Sequence, residues 1–291
     1  MASWRRVANS AIRPSANKRC GHNFSDRIRS WWVEAHRDDA TVRRVRLTCE
    51  PLHAPQGISD LPVRDDAGNI VCQLWTHRLR WQCKDAELEI QVIAPEFIEL
   101  PAAEVSEPAP GAIARLSKAL AGSGGLLLLR NPAQAFGEQR IGFALGVRLF
   151  AIADAADEAC WDAMLSLGQP VYGVRGTIAC ACRTAHPGAV ISALAYGTFT
   201  SEEGLAVALL DESREGVKWT LPITAETSVI VRDGFEAGRI KGVNGAWRDR
   251  GTEGYVRLIM RSVSGSAWTQ PRFIAPTIAA NGSAGSGSKC D

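Results

Sequence analysis

Residues 78–94, RLRWQCKDAELEIQVIA, alternate between apolar and polar side chains on both sides of a short polar turn. The apolar residues that share one side are Leu79, Trp81 and Cys83 before the turn and Leu88, Ile90 and Val92 after it. A repeat of two is the side-chain period of a β-strand, because successive side chains point to opposite faces. The stretch therefore predicts a β-hairpin with one buried face and one solvent-facing side.

The same period recurs between residues 42 and 278, and turn-forming residues separate the alternating segments. Residues 189–199, 217–223 and 228–232 are three of the predicted strands, and Asn244-Gly245 is a predicted turn. Many short strands with little helix are typical of sandwiches and barrels. We therefore expect an all-β fold built as an antiparallel β-sandwich.

One or two short helices interrupt this pattern. Asp154 is a predicted N-cap, and Gly168 and Pro170 mark the end of the same helix. Its apolar stripe, at the spacing i, i+3, i+4 and i+7, consists of Cys160, Ala163, Met164 and Leu167. A second helix is predicted after Pro110-Gly111, where the apolar positions are Ile113, Leu116 and Leu120.

The low net charge of +2 conceals an uneven distribution along the chain. Residues 1–50 contain eleven Arg or Lys residues and five acidic residues, whereas the other 241 residues contain 22 and 26. A basic segment on a slightly acidic body predicts an arm that contacts phosphate groups or another subunit, and the alternative is a solvated tail. Trp4, Trp31 and Trp32 favour the arm, because large aromatic side chains are usually held in contacts.

Composition divides the chain into three parts. Residues 1–40 form the basic N-terminal arm, residues 41–278 form the β body, and residues 279–291 form a Gly/Ser-rich C-terminal tail that is too poor in large side chains to build a core. With 46% hydrophobic and 22% charged residues, the chain as a whole has the composition of a globular protein.

The chain lacks the common catalytic and metal-binding sequence motifs. No phosphate-binding loop, Gly-x-Ser-x-Gly elbow, His-Glu-x-x-His or Cys-x-x-Cys sequence is present. Cys180-Ala-Cys182, followed by His186, is the best metal candidate, but Ile178, Cys180 and Cys182 also fit the buried face of one strand. We adopt that interpretation and expect no catalytic residue, no metal and no cofactor.

Two further expectations concern the cellular compartment. No apolar run approaches the length of a membrane span, and the first residues, MASWRRVANS, lack the apolar stretch of a signal peptide. We therefore expect synthesis in the cytoplasm, where the eight cysteines would be mostly buried thiols.

The order of parts is similar to that of a viral protein family. The arm MASWRRVANSAIRPSANKR precedes many strands with a short helix between early ones, then the late strands GVKWTLPI and GYVRLIMRS and the Pro-punctuated end QPRFIAPTIAA. In this order the chain resembles the coat proteins of small icosahedral RNA viruses of the picornavirus-like or sobemovirus-like kind.

The resemblance implies a structural subunit of an icosahedral capsid, found in the virion and made in the host cytoplasm. It implies a jelly-roll body with extended terminal arms and no enzymatic activity. The implied partners are copies of the chain itself, sister coat proteins, and genomic RNA through the N-terminal arm. The arm residues expected to contact nucleic acid or neighbouring subunits are Arg5, Arg6, Arg13, Lys18, Arg19, Arg27 and Arg29.

Two other function classes stay open at this point. A β-rich structural protein of a tailed phage, such as a tail or baseplate component, would show the same strand-rich pattern. A β-sandwich enzyme or carbohydrate-binding module would assemble its site from residues that are distant in the sequence.

Overall fold

Strands make up most of the regular structure of this chain. The computed structural model describes residues 43–48, 56–136, 146–182 and 184–274. The strands in these residues are β1 (Arg43–Thr48), β2 (Gly57–Asp65), β3 (Ile70–Gln82), β4 (Glu87–Ala94), β5 (Leu126–Leu129), β6 (Leu149–Ala151), β7 (Tyr172–Val174), β8 (Thr177–Cys182), β9 (Phe199–Glu203), β10 (Leu209–Ser213), β11 (Gly216–Val231), β12 (Phe235–Arg248), β13 (Tyr255–Ser262), β14 (Gly265–Thr269) and β15 (Arg272–Phe273). The helices are α1 (Ala109–Leu120), α2 (Pro132–Phe136), α3 (Ala155–Ser166) and α4 (Pro187–Tyr196).

These strands join into one mixed sheet. Its order is β10-β11-β13-β14-β9-β8-β1-β2-β3-β4-β5-β6-β7, while β12 pairs with β11 and β15 pairs with β13. The pairs β5–β6 and β6–β7 are parallel, and the other pairs are antiparallel. The expected predominance of β-structure is confirmed. The antiparallel sandwich and its jelly-roll form are not confirmed, because a jelly roll consists of two Greek keys, whereas β1 to β4 pair here in chain order.

The far end of this sheet returns towards its middle. On β7, the backbone amide of Gly173 donates a hydrogen bond to the side-chain oxygen of Gln270 at 2.9 Å. The side-chain nitrogen of Gln270 donates in turn to the backbone carbonyl oxygen of Gly173 at 2.8 Å. The hydroxyl of Ser201 on β9 also donates to the Gly173 carbonyl oxygen, at 3.2 Å. A side chain thus occupies the place that a neighbouring strand would take at the edge of β7.

The predicted hairpin at residues 78–94 is confirmed as the turn end of β3 and β4. Trp81 pairs with Leu88, and both are buried. Near the other end of the hairpin, Leu74 and Ile93 are buried as well, but they belong to a second core. The hairpin therefore separates two cores, and its second face is covered rather than wet over much of its length.

The cores lie on different faces of the sheet. Trp81, Leu88 and Ile90 pack with α1 and α3 in the first core, and Leu74 and Ile93 pack with β1, β2, β8 and α4 in the second. A third core lies beneath β11 and β13 and includes Trp219, Leu258 and Met260 among its members.

The helix predicted after Asp154 is confirmed as α3. The Asp154 carboxylate accepts hydrogen bonds from the backbone amides of Ala156 and Asp157, at 2.8 and 3.0 Å. Such a cap satisfies amides that have no partner within the helix. The helix predicted after Pro110-Gly111 is also confirmed, as α1. With α2 and α4, the described residues contain four helices rather than one or two.

The prediction of a strand at residues 189–199 is wrong, because this segment lies largely in α4. His186 caps the helix, and its Nδ1 accepts a hydrogen bond from the Gly188 amide at 3.1 Å. Pro187 begins the helix, and Gly197 ends it with a φ of 67°. An apolar run of this length fits a buried strand or a buried helix, and only the Pro and Gly at its ends indicate the helix.

The predicted separation of residues 217–223 from residues 228–232 is also wrong, since nearly all of both segments lies in the single strand β11. The turn predicted at Asn244-Gly245 instead lies within β12. A Cβ atom at Gly245 would overlap the indole ring of Trp219. The glycine is therefore required for close packing between the strands rather than for a turn.

The described part of the body covers most of residues 41–278. The predicted arm at residues 1–40 and the predicted tail at residues 279–291 lie outside the described residues. Within the described ranges, no helix has both the length and the apolar character needed to cross a membrane.

Candidate functional site

The basic residues proposed to contact nucleic acid or neighbouring subunits all precede β1. Arg5, Arg6, Arg13, Lys18, Arg19, Arg27 and Arg29 lie outside the described residues. Their role therefore stays a prediction from the sequence, and a candidate site has to be sought on the body.

The two cysteines of Cys180-Ala-Cys182 are buried on β8, as expected for apolar positions of a strand. Their sulfur atoms are 3.7 Å apart. The pKa of Cys180 is raised well above its ordinary value, mainly because of the hydrogen bond with Cys182 and also because the thiol is buried. The imidazole of His186 is engaged at the start of α4. Within residues 43–274, the described parts contain no cluster of three or more His, Cys, Asp or Glu side chains suited to hold a metal.

A buried ionic cluster connects α3 to β13. The Arg257 side chain is 1% exposed and donates to both carboxylate oxygens of Asp162, at 2.9 and 2.7 Å. It also donates to Glu158 at 2.9 Å and stacks on the ring of Trp161 at 4.7 Å. The Tyr255 hydroxyl donates to Asp162 at 2.7 Å. Burial and the neighbouring Asp162 raise the pKa of Tyr255, so its hydroxyl remains protonated at neutral pH.

A cavity of about 510 Å³ lies beside this cluster. Its lining includes Glu158, Asp162, Asp233 and Arg257. Both oxygens of Asp162 already accept hydrogen bonds from Arg257. A carboxylate in this state serves to hold the guanidinium group in place. The cluster therefore fastens α3 to β13, and sequence reasoning missed it because its members are about 95 residues apart.

The hairpin formed by β11 and β12 has a different character. β12 pairs with β11 along one edge, and no strand in the described residues pairs with its other edge. None of the 14 residues of β12 is buried. Phe235 is 67% exposed and Val243 is 40% exposed. An edge strand of this length presents a row of backbone amide and carbonyl groups to whatever lies beside it.

β12 is nevertheless held firmly to β11 from one side. Trp247 and Ile240 pack against the third core. A Cβ atom at Gly238 would lie 2.9 Å from the ring of Trp247, which shows how closely the indole covers the backbone. Arg239 forms ion pairs with Glu226 of β11 at 3.2 Å and with Glu236 at 2.9 Å.

The charges on β12 are unevenly placed. Its charged side chains are Glu236 near the beginning, Arg239 and Lys241 in the middle, and Arg248 at the end. Three glycines interrupt the apolar alternation in FEAGRIKGVNGAWR. This composition is the reason that sequence reasoning missed the strand, since glycine is depleted in strands and Asn-Gly is typical of turns.

No protein-family model matches the chain, and the comparisons with curated proteins and with solved structures give no match.

Proposed function

We propose that this protein is a structural subunit of a virus particle, which assembles with copies of itself into a capsid shell around the genome. The observation that supports the proposal is the unpaired outer edge of β12. Soluble proteins usually blunt such edges, because unpaired strands recruit other chains. A long edge with exposed apolar side chains suits a subunit whose final state is an assembly.

The polar groups of the body support a structural role. Gln91 is buried between the hairpin strands and donates to Thr76 at 2.9 Å. Its side-chain oxygen accepts a hydrogen bond from Arg130 at 3.0 Å. Like the carboxylate of Asp162, these groups are used for internal bonds. Such networks make a body rigid, which is what a repeated building block requires.

The basic arm would supply the contact with the genome. Residues 1–50 contain six more basic than acidic residues. Ordering such a segment costs about 1–2 kcal/mol per residue, and contacts with RNA phosphates or with other subunits would offset that cost. The proposed partners are therefore copies of the chain, sister coat proteins and genomic RNA, and the proposed location is the virion after synthesis in the host cytoplasm.

A second candidate is a tail or baseplate component of a tailed phage. The strand order keeps this candidate open, because β1 to β4 pair in chain order and β5, β6 and β7 are parallel, which differs from a jelly roll. The jelly roll expected for the coat-protein families contains two Greek keys instead.

Negative-stain electron microscopy of the full-length protein tests the proposal. Closed shells would support the capsid function, while rings or tubes would support the tail component. A protein that stays monomeric at tens of micromolar, with and without RNA, would contradict both.

Deletion of residues 1–30 tests the role of the arm. We expect the truncated protein to keep its folded body but to lose correct assembly or bound nucleic acid. RNA binding by the full chain should weaken steeply as salt rises, because binding releases counterions. Particles with unchanged nucleic-acid content after the deletion would contradict the role of the seven basic residues.

A further inference from the structure

We propose that the face of β1, β2 and β3 turned away from the second core binds single-stranded RNA, with a backbone phosphate group at Arg46 and Arg64 and a base at Phe97. The inference rests on the proposed contact with genomic RNA and adds a site on the body to the contact assigned to the arm. Three observations carry it: two arginines that face each other, a cavity that both of them line, and an exposed aromatic ring on the same face.

The two arginines lie directly opposite each other on neighbouring antiparallel strands. Arg46 of β1 is paired with Arg64 of β2. The next pair, Leu47 and Val63, is buried in the second core, so the arginine side chains are on the other face of the sheet. Like charges that face each other across strands destabilise a sheet. An anion that contacts both guanidinium groups would replace this repulsion with attraction.

A cavity of about 440 Å³ lies beside the arginine pair. Its lining includes Arg46, Arg64, Thr48 of β1 and Thr177 of β8. Thr48 is two residues from Arg46, so both side chains are on one face of β1. The hydroxyl oxygens of Thr48 and Thr177 are 3.5 Å apart. Guanidinium and hydroxyl groups are among the donors with which proteins bind phosphate oxygens.

The present contacts of the two arginines leave donors for an anion. The Nη2 atom of Arg46 is 3.4 Å from Asp66, and Arg64 donates through Nη1 to the backbone oxygen of Gly68 at 2.8 Å. The Nε atom of Arg46 is buried and has no hydrogen-bond partner among the described residues. A buried donor without a partner is costly, and a guanidinium group has more N–H donors than these contacts use. A phosphate group can therefore add to the site without breaking the Gly68 contact.

Two carboxylates beside the arginines limit the charge of the anion that fits. Asp65 is used within its own turn, where it accepts hydrogen bonds from the backbone and side-chain amides of Asn69 at 2.9 and 3.2 Å. Asp66 is 58% exposed, and surface ion pairs of this kind contribute little. Because two arginines and two aspartates line the cavity, a phosphodiester with its single negative charge suits the cavity better than a free phosphate dianion.

The same face continues to an exposed aromatic ring. Arg64, Pro62 and Asp60 are alternate residues of β2, and Asp60 is paired with Trp75 of β3. The Phe97 ring contacts Trp75 edge to face, with 5.4 Å between the ring centroids, and Phe97 is 64% exposed. Arg64 and Asp60 are about 13 Å apart along the strand, so a ligand that contacts both ends of the face must be longer than one phosphate group.

The two ends of this face suit the two parts of a nucleotide chain. The negative charge of Asp60 disfavours a phosphate group near Phe97, whereas an aromatic ring offers a surface on which a base can stack. Basic residues that hold the backbone, combined with aromatic rings that hold bases, are typical of proteins that bind single strands. The occupant that fits both ends is therefore single-stranded RNA.

Binding of a fluorescent single-stranded oligouridylate to the full-length protein tests the phosphate contact. Arg46→Gln and Arg64→Gln each remove one guanidinium group, and we expect each to raise the dissociation constant at least about tenfold at low salt. In the double variant, the slope of log affinity against log salt should decrease in magnitude by about 0.7, the value for one phosphate contact on a single strand. Fluorescence anisotropy over a salt series measures both quantities. The arm is present in every protein compared, so its contribution cancels.

Arg80→Gln is the matched control for the lost charge. Arg80 is half exposed on β3 and forms surface ion pairs with Glu87 and Glu89. Five residues separate it from Trp75, so its side chain is on the opposite face of the strand. Circular dichroism checks that each variant is folded. Arginine variants that bind RNA with the affinity and salt slope of Arg80→Gln would overturn the phosphate contact.

Phe97→Ala tests the base contact. We expect it to raise the dissociation constant for the oligouridylate about fivefold or more, because the stacking surface is lost. Phe235→Ala is the control, since Phe235 is a phenylalanine of similar exposure on β12, which does not pair with β2 or β3. Equal affinities of these two variants would overturn the base contact.

Inorganic phosphate distinguishes RNA from a free anion. Thermal unfolding of the original protein and of Arg64→Gln is measured with and without phosphate at constant ionic strength. We expect phosphate to stabilise the original protein less than the oligouridylate does. If phosphate stabilises the original protein but not Arg64→Gln, while both bind RNA equally, the cavity binds a free anion and the RNA site is overturned.

The outcome also separates this inference from the proposed function. If particles form and retain nucleic acid while the variants of Arg46, Arg64 and Phe97 bind RNA like their controls, this site is overturned and the proposed function stands. If the original protein neither binds RNA nor forms particles, both are overturned.

Discussion

The β3–β4 hairpin and the β11–β12 hairpin are both long antiparallel pairs, yet they occupy opposite environments. In the first, Trp81, Leu88 and Ile93 are buried, and the two faces cover two different cores. In the second, β11 is largely buried, whereas no residue of β12 is. The pairing of β3 with β4 is continuous, whereas the pairing of β11 with β12 is irregular between Thr220 and Ala225 and again between Val229 and Ile230. The two hairpins therefore differ both in the regularity of their pairing and in what covers each strand.

The largest effect is expected when a side chain is removed from the buried hairpin. Trp81→Ala should lower the free energy of unfolding by about 3–5 kcal/mol, because it leaves a cavity in the first core. Arg80→Ala on the same strand is the control, since Arg80 is half exposed and forms surface ion pairs with Glu87 and Glu89. Such pairs contribute about 0.2–1 kcal/mol. Urea unfolding measures both, and equal tolerance would contradict the assigned faces.

The connection between the two hairpin regions is tested next. Asp162→Asn keeps the shape of the side chain but removes the charge that faces Arg257, and we expect a loss of about 1.5–3 kcal/mol. Glu158→Gln is the control, because Glu158 is more exposed and receives one bond from the same guanidinium group. A loss for Asp162→Asn no larger than the loss for Glu158→Gln would show that the buried pair does not fasten α3 to β13.

Gly245→Ala tests how closely β12 is held to β11. The added methyl group would overlap the ring of Trp219, and overpacking of this kind costs about 1–3 kcal/mol. Gly122→Ala is the control, since no atom lies within 4 Å of the Cβ position there. Thermal unfolding of both variants provides the measurement. A Gly245→Ala protein as stable as the control would mean that β12 is less closely packed than described.

The smallest effect concerns the pH dependence of the buried hairpin. Burial lowers the pKa of His77 on β3 below its ordinary value of 6.5. The unfolded chain then binds a proton more readily than the folded chain, so His77 should destabilise the fold as the pH falls below 6.5 towards the lowered pKa. His77→Gln should reduce this loss of stability at low pH. The midpoint of urea unfolding is measured at pH 7.5 and 5.5 for both proteins. If the midpoint falls as much between these pH values in His77→Gln as in the original protein, His77 does not contribute.

Local signals in the sequence were sufficient for some elements. The hairpin at residues 78–94 was predictable from its period of two, and α3 was predictable from the Asp154 cap. The apolar stripe predicted for α3 was wrong at Leu167, which follows the helix and is 52% exposed. Pro187 and Gly197 indicate α4 in retrospect, but the apolar run between them matches a strand equally well. These cases depend on neighbouring residues alone.

Other features depend on contacts between distant segments. Gly245 is explained by Trp219 on the neighbouring strand, and Asp162 is explained by Arg257, which lies 95 residues away. Neither partner can be identified from the spacing of residue types. The exposed edge of β12 could not be predicted for the same reason, since exposure of an edge depends on which strands pair elsewhere. The contacts of the basic arm remain predictions.

The side-chain amide of Gln270, which bonds both backbone groups of Gly173, has a consequence for the stoichiometry of assembly. In a polymerisation reaction, a unit with two reactive ends grows into chains of unlimited length, whereas a unit with one reactive end stops at a pair. By terminating the sheet at β7, Gln270 acts as a chain terminator and lowers the number of reactive ends of the subunit. Among the described residues, the edges of β10 and β12 stay open, so further growth of the sheet is restricted to the end that contains β11.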